Sequence, residues 1–323
     1  MSERPILVVG SPRSGTTLLR DLLRAHPRLT FPPESNVLPA LRRLHGDPAS
    51  ERRARLLAGD LLGSFSIKAW RLDLDVSALA GARTFADAVA RLYEAWAQRE
   101  GKPRWGDKTP LHALELPAAL AIFRGAQVLH VVRDGRAVAA SLLRQPWGPA
   151  CATSAARLWR RCVEAARRDG RALGGEGYLE VRFEALVTEP ERVLREVCAF
   201  LGEAFDPAVL RPARIPPPNG LTQPWPAAHE REIDPRAAAW EGLSPRALGA
   251  VEAEAGETLR ALGYEAPVTA RQRRSAACAL RDAAAFVRWR ATTWDRVARA
   301  TTDLRLARAR LLRAFGVIGG PTA

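Results

Sequence analysis

Residues 5–25, PILVVGSPRSGTTLLRDLLRA, constrain the fold more than any other stretch. The apolar run 5–10 reads as a short strand ended by glycine. Residues 15–25 follow with helical spacing, Leu18, Leu19, Leu22 and Leu23 forming one apolar face. Strand, glycine loop and helix are the context of a phosphate cradle, in which backbone N–H groups and a helix N-terminus point at an anion. Gly10 and Gly15 have the glycine spacing of G-x-x-x-x-G-K-[ST], but Thr16 stands where the lysine belongs. In a nucleotide-triphosphate loop that lysine reaches the β- and γ-phosphates, and the following hydroxyl helps hold Mg²⁺. A loop without it that keeps Arg13, Ser14, Thr16 and Thr17 suits a phosphate ligand lacking a γ-phosphate. The competing reading is a tight turn that binds nothing.

The rest of the chain alternates strands with helices. Helices are expected at 36–44, 50–62, 84–99, 111–124, 136–144, 152–169, 190–201 and 245–262, the last capped by Gly263. Strands are expected at 104–110, running out into a loop, at 126–132 and at 178–183. The continuous apolar run AQVLHVV reads as a strand buried on both faces. This alternation predicts an α/β domain, an open parallel sheet with helices on both faces. Residues 211–226 hold six prolines and read as a long loop, with Trp225 placed to line a pocket. His130, inside an apolar strand, reads as a core residue.

The formal charge of +14 is uneven, because residues 271–323 carry twelve arginines against three aspartates. Leu280, Ala284, Val287, Ala291, Trp294, Val297, Leu304, Leu311 and Phe315 recur there at helical steps, with arginines opposite. Such an extension packs on the body, pairs in a homodimer, or lies on an anionic membrane as a peripheral contact. In the body, acids are interspersed with bases and no recognition module is visible, so no nucleic-acid partner is expected. The four cysteines form no C-x-x-C pair, and no signal or spanning segment is legible. These features lead to the expectation of a reduced, cytoplasmic setting without a metal site.

Two further clusters look chemical. Arg133 falls at the carboxyl end of strand 126–132, where open α/β sheets bind ligands, and Ser141 lies two helical turns beyond it. Arginine plus hydroxyl is a clamp for a second, separate phosphate, while Asp134 alternatively imitates the magnesium-binding aspartate of an NTPase. In WGDKTP, Lys108 is one of only three lysines and sits where a strand meets a loop. An ammonium there would neutralise charge developing on a transferred group; the bland alternative is a surface lysine before Pro110.

PRSGTTLLRDLLRAHP, PPESNVLP, GDKTP and VVRDGRAVAAS, in this order, resemble the sulfotransferases that use 3′-phosphoadenosine 5′-phosphosulfate (PAPS). Within them the likeness is to the branch containing the tyrosylprotein sulfotransferases and their bacterial relatives. It runs from residue 5 to about 264 and implies a P-loop-like three-layer αβα domain, 1–267, followed by a basic helical extension, 268–323. It also implies that Ser11, Pro12, Arg13, Ser14, Gly15, Thr16 and Thr17 hold the 5′-phosphate and sulfuryl end of PAPS. Arg133 and Ser141 would hold its 3′-phosphate. Glu34 falls on the branch's catalytic base, and Arg13 and Lys108 would stabilise the transferred group, with no metal required. His229, Arg231 and Trp240 would help to cover the cosubstrate.

The chain departs from the tyrosylprotein branch at its acceptor side. Asn36 and Ala40 replace arginines, and Arg182 and Phe183 replace tandem tyrosines. The acceptor expected is therefore a hydroxyl of a small molecule, glycan or lipid. The alternatives weighed are a P-loop kinase or NTPase, and a non-catalytic scaffold that binds membrane or nucleic acid through its tail.

Overall fold

β1 (Ile6–Gly10) is the middle strand of a five-stranded sheet in the computed structural model, which describes residues 3–145, 148–149, 151–213, 233, 242–264 and 284. From β1 the chain enters α1 (Thr16–Arg24) and the two-residue β2 (Leu29–Thr30). A helical run follows: α2 (Leu38–His45), α3 (Glu51–Gly63), α4 (Phe65–Lys68), α5 (Val76–Ala80) and α6 (Phe85–Glu100). β3 (Arg104–Lys108) then leads through a 3₁₀ turn to α7 (Leu116–Ile122) and β4 (Gln127–Val132). α8 (Gly135–Leu143), α9 (Ala152–Arg171), β5 (Tyr178–Arg182), α10 (Phe183–Thr188), α11 (Pro190–Leu201), a second 3₁₀ turn (Pro207–Leu210) and α12 (Pro245–Ala261) complete the described elements.

The strand order is β2-β3-β1-β4-β5 and every pairing is parallel. β1 therefore has β3 on one side and β4 on the other, and the winding reverses beside it. In open α/β sheets, ligands bind at the carboxyl ends of the strands at such a reversal. The register pairs Val8 with Lys108 and Gly10 with Val131, so the glycine loop, Lys108 and the end of β4 emerge together.

Burial on both faces explains the unbroken apolar strands. Ile6 and Val8 point toward Leu19, Leu22 and Leu23 of α1 and Leu194 and Val197 of α11. Leu7 and Val9 point the other way, into a cluster with Leu38 and Leu41 of α2 and Val89 and Leu92 of α6. A third cluster, around Val132, Val138, Trp159, Val251 and Leu259, seats α12 on α8 and α9. The result is the expected three-layer αβα arrangement.

Local signals set the helix ends. Ser50 accepts a hydrogen bond from the Arg53 N–H, and Thr84 forms a reciprocal capping box with Asp87. Ser244 caps α12, and Gly263 beyond its end has φ 75°. One expectation needs correction: residues 111–124 are not one helix. Pro110–Leu114 is a 3₁₀ turn, and the helix restarts at Leu116 with Pro117 in its first turn. Proline lacks the N–H that an unbroken helix would require there. The extension from 268, residues 214–226 of the proline-rich segment with Trp225, and His229, Arg231 and Trp240 lie outside the described residues, Ala284 apart.

β3 accepts no side chain at Gly106. A Cβ there would lie 2.3 Å from the Phe31 ring and 2.8 Å from the Ile6 carbonyl oxygen. Gly106→Ala is expected to destabilise the fold by roughly 1–3 kcal/mol through overpacking, read as a lower urea midpoint. An unchanged midpoint would mean that Phe31 and β1 shift without penalty.

Candidate active site

The loop between β1 and α1 is closed by its own hydroxyl. The Ser14 N–H donates to the Ser11 carbonyl at 3.1 Å and Ser14 Oγ donates to the same oxygen at 2.7 Å. The turn needs left-handed backbone at Arg13 (φ 72°) and Gly15 (φ 101°). Gly15 is required on a second count, because a Cβ there would meet the Phe183 ring at 2.1 Å. Gly15 offers no side-chain cap to α1, and the first turn of that helix contains no acid. The leading N–H groups of α1, which have no partner within the helix, thus present a positive helix end toward the loop.

Two groups of side chains flank this end. On the β4 side, Arg13 Nε donates to Ser141 Oγ at 3.1 Å, and Arg133 Nη1 donates to the Arg13 carbonyl at 3.0 Å. The Arg133 guanidinium lies over the Phe183 ring, 4.6 Å from its centroid, and the Arg133 carbonyl accepts from Trp159 Nε1 at 3.0 Å. Arg13, Arg133 and Ser141, which are far apart in sequence, are thus interlocked. Phe183 is the member that the sequence reading missed, having taken it only as a departure from a family pattern. Its signal was its place directly after β5, at the same sheet edge.

On the β3 side, Lys108 Nζ donates to Glu34 and, at 3.2 Å, to Thr17 Oγ1. The lysine side chain is 3% exposed and that of Glu34 34%. Asn36 Nδ2 donates to the other Glu34 oxygen at 3.2 Å. Burial pushes the Glu34 carboxyl upward, but the Lys108 ammonium and the hydrogen bonds from Lys108 and Asn36 outweigh it, leaving the pKa below the usual glutamate value. Burial lowers the Lys108 pKa, opposed by Glu34 and assisted by Arg20. Arg20 is itself buried in α1 and paired with Asp21 at 2.6 Å. The alternative of a surface lysine is therefore overturned. An ammonium offers three donors, and Glu34 and Thr17 take two of them.

Other expectations resolve by contact. Asp134 accepts from Arg136 Nη2 at 2.6 Å and from the Arg136 N–H at 2.8 Å, so it caps α8 and does not imitate a magnesium ligand. His130 Nδ1 is 2.6 Å from the Tyr178 hydroxyl, and burial lowers its pKa to about 4, as suits a neutral core residue. Arg182 donates to the Leu262 carbonyl at 2.6 Å, fixing the end of α12 to β5. Among the described residues no group of three His, Cys, Asp or Glu is arranged to hold a metal ion, and no helix is long and apolar enough to cross a membrane.

A glycine loop leading from the central strand to an uncapped helix start, in a parallel sheet with helices on both faces, defines an α/β protein with a P-loop-like fold. The family follows from comparison: the sulfotransferase family model matches residues 5–207, and the chain belongs to that family. The chain is 26% identical over 226 residues to a protein-tyrosine sulfotransferase of Drosophila melanogaster, covering 68% of this chain and 42% of the relative. It is 33% identical over 236 residues to the nodulation protein NoeE of Sinorhizobium fredii, covering 64% and 52%. The chain thus spans about half the length of these curated relatives. Among solved structures, the sulfotransferase domain from the Synechococcus PCC 7002 olefin synthase superposes with a TM-score of 0.61 at 29% identity, over 82% of this chain and 97% of that one.

Removing the ammonium should reverse the balance at Glu34. In the wild type the stability contributed by the ionised carboxylate is present above the ordinary glutamate range and is lost as pH falls through the depressed value. Lys108→Ala leaves burial as the larger influence, so the Glu34 titration measured by carbon NMR should move to higher pH. A titration that stays put would show that Lys108 does not control this carboxyl.

Proposed function

We propose that the protein transfers a sulfuryl group from PAPS to a hydroxyl acceptor by in-line attack, with Glu34 as general base. One observation carries this reading: in a chain of the sulfotransferase family, the Lys108–Glu34 pair stands at the same sheet end as the uncapped start of α1. PAPS would bring its 5′-phosphate and sulfuryl end to loop residues 11–17, and its 3′-phosphate to Arg133 and Ser141. The residues fit such a ligand, since the helix start is free of acids and of a side-chain cap and is flanked by Arg13 and Lys108.

The acceptor oxygen forms a bond to sulfur while the bond from sulfur to the 5′-phosphate oxygen breaks. The electron pair leaves on that oxygen, giving adenosine 3′,5′-bisphosphate, and the hydroxyl proton passes to Glu34. The depressed pKa keeps Glu34 ionised and ready to accept a proton. The third Lys108 donor and the Arg13 guanidinium would stabilise the charge on the departing oxygen and the sulfuryl group.

The acceptor class is a hydroxyl on a small molecule, glycan or lipid rather than an acidic peptide. Asn36 is engaged with Glu34, and Ala40 carries no charge to receive acidic residues. We place the reaction in the cytoplasm, where the free cysteines among the described residues, Cys151, Cys162 and Cys198, suit reducing conditions.

Calorimetry should show binding of adenosine 3′,5′-bisphosphate without metal, weakened about 10- to 100-fold by Arg133→Ala through loss of charged hydrogen bonds. Turnover of Mg-ATP with indifference to the bisphosphate would replace this reading with a kinase or NTPase. Glu34→Gln should retain bisphosphate affinity while release of labelled sulfate from PAPS falls about 10²- to 10⁴-fold, the usual contribution of general-base catalysis. Wild-type turnover in that variant would remove Glu34 from the mechanism.

A further inference from the structure

β2 pairs with β3 only through Leu29–Arg104 and Thr30–Trp105, so no ladder contact joins the two residues at the centre of the proposed chemistry. Lys108 ends β3, while Glu34 lies in the irregular stretch between β2 and α2. Their immediate neighbours nevertheless interlock. Ser35 Oγ donates to Asp107 Oδ1 at 2.6 Å, and the Ser35 N–H donates to Thr109 Oγ1 at 3.1 Å. Thr109 Oγ1 also donates to Asp107 Oδ1, at 3.3 Å. The residue after Glu34 is thus tied to both residues that bracket Lys108.

The junction is sealed from water. Ser35 and Tyr93 are 0% exposed, Asp107 1% and Thr109 2%. Tyr93 of α6 donates its hydroxyl to the same Asp107 oxygen at 2.6 Å and packs against Trp105 and Trp70, with ring centroids 4.7 and 4.8 Å away. The other Asp107 oxygen faces His112 Nε2 at 3.4 Å without a hydrogen bond. A buried carboxylate accepting several hydroxyls is held rigidly, because each bond is strong in a dry setting and costly to leave unmade. β3 alternation turns Asp107 into this aromatic cluster while Lys108 turns toward α1.

We infer that Ser35, anchored on Asp107, is a positioning residue that fixes the Glu34 carboxylate relative to the Lys108 ammonium. The inference rests on the reading of Glu34 as base given above. Ser35 and Asp107 do not touch the reacting atoms; they act through Glu34 and Lys108. Misplacing a catalytic group by about 1 Å can slow a reaction on the order of 100-fold while leaving ligand binding intact.

The test is a mutant cycle on the full chain, reading labelled sulfate released from PAPS with water as acceptor and affinity for adenosine 3′,5′-bisphosphate. Ser35→Ala should lower kcat about 10- to 100-fold, with KM and bisphosphate affinity within about twofold. In a Glu34→Gln background the same substitution should cause almost no further loss, since the group through which it acts is gone. An equal loss in both backgrounds would mean that Ser35 merely supports the fold, and would overturn the inference. If Glu34→Gln abolishes turnover while Ser35→Ala behaves as wild type, the inference fails and the base stands. If Glu34→Gln itself behaves as wild type, or the unmodified protein releases no sulfate, the base reading fails and takes the inference with it. Asp107→Asn, which keeps the shape of the site, carries the same cycle should thermal melting show that Ser35→Ala does not fold.

Discussion

A buried ammonium is tolerated only when an anion and hydrogen-bond acceptors surround it, and the region around Lys108 is arranged to meet that demand. The lysine side chain is almost wholly covered, so Glu34 and Thr17 must both reach it. That requirement places the β2–α2 segment across the end of β3 and draws the first turn of α1 toward the same point. The same contact keeps Glu34 ionised despite partial burial. Structure and proposed chemistry thus share one interaction, which positions the carboxylate and sets its proton affinity.

The sheet supplies the rigidity behind this contact. Because β1 is paired on both sides, its loop cannot shift without breaking the register with β3 and β4. The interlocked Arg13, Ser141 and Arg133 tie the loop to the end of β4 and the start of α8. Phe183 closes the floor beneath Gly15, so the edge strand β5 also contributes. In the proposed reaction a cradle of backbone N–H groups would gain from this immobility, since groups already oriented need no reorganisation when charge develops.

Much of this was legible in the sequence because the signals were local. The glycine spacing, the apolar runs and the cap at Gly263 depend on neighbours within a few residues. β2 was missed because two residues, Leu29 and Thr30, leave no periodicity to read; their strand character comes from pairing with Arg104 and Trp105. The 111–124 segment read as one helix because its apolar spacing outweighed Pro117. At the candidate site, Lys108 stood out by its rarity and its place at a strand end and Glu34 through the family resemblance, while the partners that hold them together left no such mark. Ser35 looks like a loop serine until Asp107, 72 residues later, is folded beneath it. Long-range satisfaction of buried polar groups has no signature along the chain.

The lysine absent at position 16 is therefore not a simple loss. In a nucleotide-triphosphate loop the lysine rides on the segment that wraps the phosphates. Here the ammonium comes from β3, and the Val8–Lys108 register brings it to Thr17, one residue beyond that position. Moving the cation to a neighbouring strand changes what it can do. On the loop it follows the phosphates; on the strand it is fixed relative to Glu34. In the proposed reaction an ammonium lying between the leaving oxygen and the base would gain from a carboxylate partner. With Thr16 on the loop and Lys108 on β3, the positive charge stays near the helix start and is paired with Glu34, the proposed proton acceptor.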